Sequence, residues 1–205
     1  LLSSHRVMQP AQVNIHDILE RVRRLIHAEY HDVRVKRDYD TSLPDITGDR
    51  EQLIQAILNI SRNAAQAIMG NPPGPLSGKG GDGGSALRAS TSMTGPSLGR
   101  PGGGAGKGEI IFRTRAARRV TLAKKHHQLA LELQVIDNGP GIAEDMCDKI
   151  FYPLVSGREN GTGLGLTIAQ SFVQQHGGTI EVDSRPGRTC FSLMLPLSRK
   201  NKEKT

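Results

Sequence analysis

The sequence has little of what several classes of protein depend on. Its 205 residues include two cysteines, no tryptophan, three tyrosines and four phenylalanines. Cys147 and Cys190 are far apart and have no metal-ligand spacing around them, which argues against a disulfide framework and a zinc site. The apolar runs are only a few residues long, against the ~20 that a transmembrane helix needs. We therefore expect a cytoplasmic chain with no membrane segment.

The positive charge lies mostly outside the segments with apolar periodicity. The net charge of +7 comes from 27 basic and 20 acidic residues. Residues 70–108 carry +3 and the tail 199–205 carries another +3, which leaves +1 for the rest of the chain. A folded part with so little excess charge, and with few aromatic side chains to stack on bases, argues against a nucleic-acid partner.

Hydrophobic periodicity predicts alternating helices and strands. Apolar residues at helical spacing predict helices over 14–30, over 49–69 and from the glycines near 165 to Gly177. Alternating or β-branched runs predict strands at 33–39, 109–115, 129–136, 179–182 and 190–195, with a basic hairpin between 115 and 129. This order predicts an α+β fold, a two-layer sandwich in which a mixed, mostly antiparallel sheet carries three main helices on one face.

Composition divides the chain further. Residues 1–13 have no clear period and are predicted to be a residual linker, 14–198 the domain, and 199–205 a charged tail. Residues 70–108 contain fourteen Gly and five Pro among 39 residues, so we expect a disordered insert. Its two Gly-Lys pairs do not form a P-loop, because Pro73 and Pro101 stand where that motif needs glycine.

A stretch rich in glycine, from Asp137 to Leu166, has the features of a nucleotide pocket. The strand at 129–136 leads Asp137 into a turn that Gly139 and Gly141 make tight. About twenty residues later a second glycine cluster, 161–165, opens a helix. Backbone N–H groups and the helix dipole at such a start favour phosphate.

Two asparagines on the second predicted helix invite two interpretations. Asn59 and Asn63 are four residues apart and therefore share one side of the helix. They are either solvent-facing polar residues or a pair of amide oxygens that hold one hydrated cation. Mg²⁺ prefers few protein ligands together with phosphate oxygens, which suits the second interpretation.

Four motifs in this order resemble the conserved boxes of the histidine-kinase catalytic domain, within the ATP-binding superfamily shared with gyrase, the Hsp90 chaperones and MutL. They are Asn59-x-x-x-Asn63-Ala64, Asp137-x-Gly139-x-Gly141, Phe151-x-Pro153 and Gly161-x-Gly163-x-Gly165. The segments 37–44, 137–142 and 151–159 are similar to those of nitrogen-regulation sensor kinases. The resemblance covers nearly the whole chain except the insert and implies a Bergerat-type ATP-binding fold.

For the base and the metal, the resemblance implies specific residues. Asp137 would accept from the adenine 6-amino group, and GTP, with a carbonyl at that position, would be rejected. Gly139 and Gly141 would admit the base, and Thr189 would support it through water. Asn63 would bind Mg²⁺, with Asn59 beside it to orient metal and phosphates.

For the phosphates, it implies a lid and a glycine-rich helix start. The implied phosphate-binding residues are Gly161, Thr162, Gly163, Leu164 and Gly165. Residues 143–160 would form the lid that orders over the nucleotide. Arg158 in that lid is either a phosphate contact or a surface arginine.

The resemblance also implies an activity and partners. The chain would be the ATP-dependent protein-histidine kinase domain, with ATP and Mg²⁺ as cofactors. Its partners would be the phosphoacceptor and dimerisation domain of the same kinase, a response regulator of the NtrC type and a PII-type signal protein. None of the seven histidines lies in the family's His-Glu-x-x-x-Pro context. We therefore expect a catalytic domain from a longer kinase that does not phosphorylate itself alone.

Two other functions compete with the kinase interpretation. The first is a slow ATPase or conformational clamp of the gyrase and Hsp90 type, which Asn59 disfavours because an amide cannot take the proton that a glutamate takes from water. The second is a non-catalytic adaptor whose basic hairpin binds a partner, which the intact boxes disfavour.

Overall fold

The structure, a computed structural model, describes residues 8–70, 108–153 and 163–197. They form a five-stranded sheet and a separate two-stranded sheet, with helices packed against the larger one. The elements in chain order are β1 (Ala11–Val13), α1 (Ile15–Glu29), β2 (Arg34–Asp38), β3 (Ile46–Gly48), α2 (Arg50–Ile68), β4 (Glu109–Leu122), β5 (Lys125–Asp137), α3 (Glu144–Cys147), α4 (Gly165–Gln175), β6 (Thr179–Arg185) and β7 (Arg188–Pro196).

Side-chain caps and apolar stripes account for α1 and α2. The Asn14 side chain accepts from the backbone N–H of His16, and Asp49 accepts from the N–H groups of Glu51 and Gln52. Each cap satisfies donors that the first turn of a helix leaves without a partner. The buried face of α1 consists of Ile15, Ile18, Leu19, Val22 and Ile26. Both helices therefore begin and pack as their sequences predict.

The large sheet has strand order β2–β4–β5–β7–β6, in which only β2 and β4 run parallel. Along β4, β5 and β7 every second residue turns towards the helices. Phe112, Val135 and Phe191 are register partners across these strands, and all three are buried in the core. The apolar core therefore lies between this face of the sheet and the helices α1, α2 and α4.

The predicted α+β fold is confirmed, with three differences in detail. The strands β1 and β3 were missed because three residues are too few to show a period, and β1 lies in the predicted linker. The ladder between β4 and β5 continues to the pair of Leu122 and Lys125, so the predicted basic hairpin is mostly strand. The strand β6 extends to Arg185, past the predicted end at residue 182.

Two further expectations concern parts outside the described residues. The predicted disorder of 70–108 falls almost entirely on residues 71–107, and the predicted charged tail, 199–205, lies wholly outside the described residues, so both stay predictions. Among the described residues, no helix is long and apolar enough to cross a membrane.

Candidate functional site

A row of polar side chains crosses the sheet where β5 ends. Asp137 on β5 is the register partner of Thr189 on β7, which in turn is the partner of Ser184 on β6. Partners in antiparallel strands share one face, here the face towards the helices. Asp137 and Thr189 are each only 4% exposed. The register pair two residues further along the same strands, Val135 with Phe191, is apolar. The core thus gives way to a buried polar site at this end.

The Asp137 carboxylate has little to compensate its charge. The N–H of Gly139 donates to its Oδ1 atom at 2.9 Å. No cationic side chain within the described ranges is paired with it, and burial raises its pKa from 3.8 to about 6. At neutral pH the group is therefore an ionised acceptor that needs a donor to offset its lost hydration.

This raised pKa predicts that Asp137 lowers the stability of the domain without ligand. The folded state holds the proton more tightly than the unfolded chain, so stability falls as the pH rises from about 4 to about 6. Asp137→Asn, which carries no charge, is expected to stabilise the domain at pH 7.5 by up to about 3 kcal/mol. Urea unfolding at pH 7.5 and pH 4 measures this, and the difference should shrink towards zero at the lower pH. A variant less stable than the parent at pH 7.5 would contradict it.

The turn after Asp137 requires its two glycines. Gly141 has φ of +91°, and a Cβ there would lie 2.7 Å from the Arg185 carbonyl oxygen. A Cβ on Gly139 would lie 2.8 Å from Asp137 Oδ1 and 3.3 Å from Ala67 Cβ. A side chain at position 139 would fill the space beside the carboxylate, whereas one at position 141 would push the turn away from Arg185.

Gly141→Ala is expected to lower the free energy of unfolding by about 3 kcal/mol, because a left-handed backbone and a clash with backbone act together. Gly187→Ala is the matched control, since Gly187 has φ of +83° and a Cβ there would meet nothing within 4 Å. The control should cost only about 1 kcal/mol. Equal losses in denaturant unfolding would show that the contact with Arg185 does not constrain the turn.

A stripe on α2 connects this turn with the start of α4. Asn59, Asn63 and Ala67 recur at four-residue intervals and so lie along one side of the helix. Ala67 lies next to Gly139 at one end of the stripe. At the other end, Asn59 Nδ2 donates to the carbonyl oxygen of Gly165 at 3.1 Å. Asn59 and Asn63 are half-buried.

The backbone at the start of α4 is suited to binding a phosphate group. Gly163 has φ of +62°, and Leu164 occupies the N-cap position without a side-chain hydrogen bond to the first turn. The N–H groups of that turn therefore have no cap from Leu164. Gly165 is the first helical residue, and its carbonyl is the one that Asn59 contacts. Gly161, Thr162 and Arg158 lie outside the described residues, so their predicted contacts stay predictions.

The predicted lid is described only as far as residue 153. It contains the short helix α3. Phe151 packs edge-on against Phe191 of the core, with ring centroids 6.4 Å apart. Thr167 Oγ1 on α4 donates to the Phe151 carbonyl oxygen at 3.0 Å. The Phe151-x-Pro153 motif is thus attached to both the sheet and α4.

Ser184 was not predicted as a site residue, because it lies past the predicted end of its strand at residue 182. Its Oγ accepts from the N–H of Ile142 at 2.8 Å and lies 2.9 Å from Thr189 Oγ1. The strands close on a two-residue turn, Pro186-Gly187, because Arg185 pairs with Arg188 and Ser184 with Thr189. Counting outward from that Pro-Gly pair would have placed Ser184 opposite Thr189.

Comparisons with known proteins show the family of this chain. Residues 48–199 match the family described as histidine kinase-, DNA gyrase B- and HSP90-like ATPases, and the chain belongs to that family. Within it, the chain is 42% identical over 187 residues to the sensory histidine kinase/phosphatase NtrB of Escherichia coli O157:H7. That alignment covers 91% of this chain and 44% of NtrB, so the chain spans less than half of that relative.

Solved structures of histidine kinases share the fold. Full-length ShkA in complex with AMPPNP superposes with a TM-score of 0.64 at 21% identity, covering 93% of this chain and 32% of ShkA. Histidine kinase ThkA in complex with the response regulator TrrA gives 0.60 at 19% identity, covering 98% of this chain and 45% of ThkA. The family and the fold that the four motifs predict are thereby confirmed.

Proposed function

We propose that this domain binds ATP with Mg²⁺ and donates the γ-phosphoryl group to a histidine on an acceptor domain of the same kinase. The observation that carries the proposal is the α2 stripe. At one end of the stripe Ala67 lies next to Gly139, beside the buried Asp137 carboxylate, and at the other end Asn59 contacts Gly165 at the start of α4. A base-binding end, a pair of amides and a phosphate-binding end thus follow one another along a single helix.

At the base end, an ionised carboxylate selects adenine. Asp137 Oδ1 already accepts from Gly139, so the other oxygen, Oδ2, is left to accept from the 6-amino group. Guanine has a carbonyl at this position. Its oxygen would face the carboxylate oxygen of Asp137, so two acceptors would meet and the buried charge would have no donor. We therefore expect ATP and ADP to bind much more tightly than GTP.

At the other end, α2 and α4 would hold the triphosphate and its cation. Asn63 has no hydrogen-bond partner among the described residues, and its amide oxygen is the proposed Mg²⁺ ligand. Asn59 is fixed by its bond to Gly165, which leaves its own oxygen for the metal or its water. When bound, Mg²⁺ would neutralise charge on the phosphate oxygens. The N–H groups from Gly163 to Gly165 would donate hydrogen bonds to the phosphate oxygens.

The same residues favour transfer over hydrolysis. A glutamate at position 59 would take a proton from water, whereas the amide of Asn59 cannot. The γ-phosphoryl group would then await a stronger nucleophile, the imidazole of the acceptor histidine. This disfavours the alternative function, a slow ATPase or conformational clamp.

The proposal extends to partners. ThkA, which shares this fold, was solved in complex with a response regulator, and the similar NtrB is named as a kinase and phosphatase. We propose that the longer kinase containing this domain charges a response regulator of the NtrC type. A PII-type signal protein would control it.

Phosphate transfer tests the function. ATP labelled at the γ-phosphate is mixed with this domain and a separately produced acceptor and dimerisation domain of the NtrB type. The proposal predicts label on the acceptor histidine, and little phosphate release when the acceptor is omitted. Steady release of phosphate without the acceptor, and none of it transferred, would favour the ATPase or clamp.

A further inference from the structure

We infer that Ser184 is a positioning residue that adds to the purine specificity of this site by directing the hydroxyl proton of Thr189. The inference rests on the proposed function, since it concerns how the same site recognises ATP. Ser184 belongs to none of the four motifs, and its role comes from its contacts alone.

Ser184 joins three parts of the site. Its Oγ accepts from the N–H of Ile142 in the turn after β5, at 2.8 Å. The same oxygen lies 2.9 Å from the hydroxyl of Thr189, the residue opposite it on β7. The neighbouring Arg185 carbonyl contacts Gly141 closely enough to exclude a side chain there. The turn that carries the base site is thus held against the β6–β7 hairpin.

The contacts of Ser184 bear on the direction of its bond to Thr189. Either hydroxyl can donate across the 2.9 Å contact, because Ser184 Oγ keeps a second lone pair after it accepts from the N–H of Ile142. We assign Ser184 as the donor, since Thr189 Oγ1 is the one acceptor that it contacts among the described residues. Thr189, 4% exposed, then has its own proton left to donate elsewhere. Its partner on β5 is Asp137, so this donor is presented beside the carboxylate.

A donor beside an acceptor matches adenine and mismatches guanine. Adenine offers a 6-amino donor next to the N1 acceptor, which complements Asp137 and Thr189, directly or through water. Guanine has the reverse order, a 6-carbonyl acceptor next to an N1–H donor. With Ser184 in place, Thr189 would therefore add to the discrimination that the Asp137 carboxylate begins.

The test compares two serines of one hairpin. Ser184→Ala removes the group that orients Thr189, and is expected to weaken ATP affinity about tenfold, the usual effect of one lost hydrogen bond with a partner left unsatisfied. GTP affinity should change less, so the preference for ATP narrows. Ser192→Ala is the control, because Ser192 is half-buried on the same strand as Thr189, β7, and points to the opposite face of the sheet. Its ATP affinity should stay within about twofold of the parent.

Two more variants distinguish an effect of Ser184 on Thr189 from a general loss of stability. Ser184→Thr keeps the hydroxyl and should restore the preference for ATP over GTP. Thr189→Val removes the relayed proton, so adding Ser184→Ala to it should change the preference little further. Binding of both nucleotides is measured by calorimetry with the unfolding free energy of each variant alongside. If Ser184→Ala does not fold, Thr189→Val and Ser184→Thr still test the relay.

The outcomes are distinct. An unchanged ATP preference in Ser184→Ala, or fully additive effects of Ser184→Ala and Thr189→Val, would overturn the inference while ATP binding by the parent stands. A parent domain that binds no ATP would overturn the proposed function itself.

Discussion

Replacing Asp137 with Asn is expected to weaken ATP binding by about 100-fold or more, which corresponds to roughly 3 kcal/mol. The reason is the fixed partner at Oδ1. An asparagine has one oxygen and one NH₂ group, and the oxygen must serve either the Gly139 N–H or the adenine amino group. In either orientation the NH₂ group faces another donor in a buried site.

The expected loss of binding is not a loss of folding, because the same substitution is predicted to stabilise the domain without ligand at neutral pH. Asp32→Asn is the control, since it makes the same chemical change at an exposed position. It should leave the ATP affinity unchanged. Isothermal titration of both variants with ATP and GTP measures this, and Asp137→Asn should also discriminate less between the two. ATP affinity that survives Asp137→Asn would mean that the base binds elsewhere.

Asn63→Ala is expected to lower phosphate transfer to the acceptor by about 100-fold or more, the scale of losing a group that stabilises the transferred charge. Asn63 lies between Ala67 at the base end and Asn59 at the phosphate end, where the proposal puts the metal. The variant should retain its affinity for ADP without Mg²⁺ and lose the part of ATP affinity that Mg²⁺ adds. The loss should therefore be confined to the metal-dependent step.

Gln55→Ala is the matched control for this prediction. Gln55 is an exposed amide earlier on α2. The rate of transfer, measured with labelled ATP and the separate acceptor domain, should stay within about twofold of the parent. An Asn63→Ala variant that transfers phosphate at the parent's rate would remove Asn63 from the metal site and leave Asn59 as the remaining candidate.

The main elements could be predicted because their signals are local. The caps Asn14 and Asp49 and the apolar stripes behind them mark α1 and α2, and the observed bounds, Ile15–Glu29 and Arg50–Ile68, follow closely. By contrast β1 and β3 have three residues each and form only through pairing with each other. Pairing between residues far apart in sequence gives no local period.

The site was predictable in part for the same reason. Asp137 and its glycines form a continuous motif, and Asn59 and Asn63 are related by helical spacing. Ser184 belongs to no motif, and its role depends on the registers of β5 with β7 and of β7 with β6. The burial that raises the pKa of Asp137 also comes from packing of distant residues. Such features follow from the tertiary fold.

The most direct test of the account is calorimetric titration of the domain with ATP, ADP and GTP, each with and without Mg²⁺. The account predicts that ATP and ADP bind, that Mg²⁺ strengthens ATP binding, and that GTP binds at least about 100-fold more weakly than ATP. Equal affinity for ATP and GTP, or no binding of ATP in the presence of Mg²⁺, would contradict a site in which the Asp137 carboxylate recognises the purine and the α2 amides hold the cation.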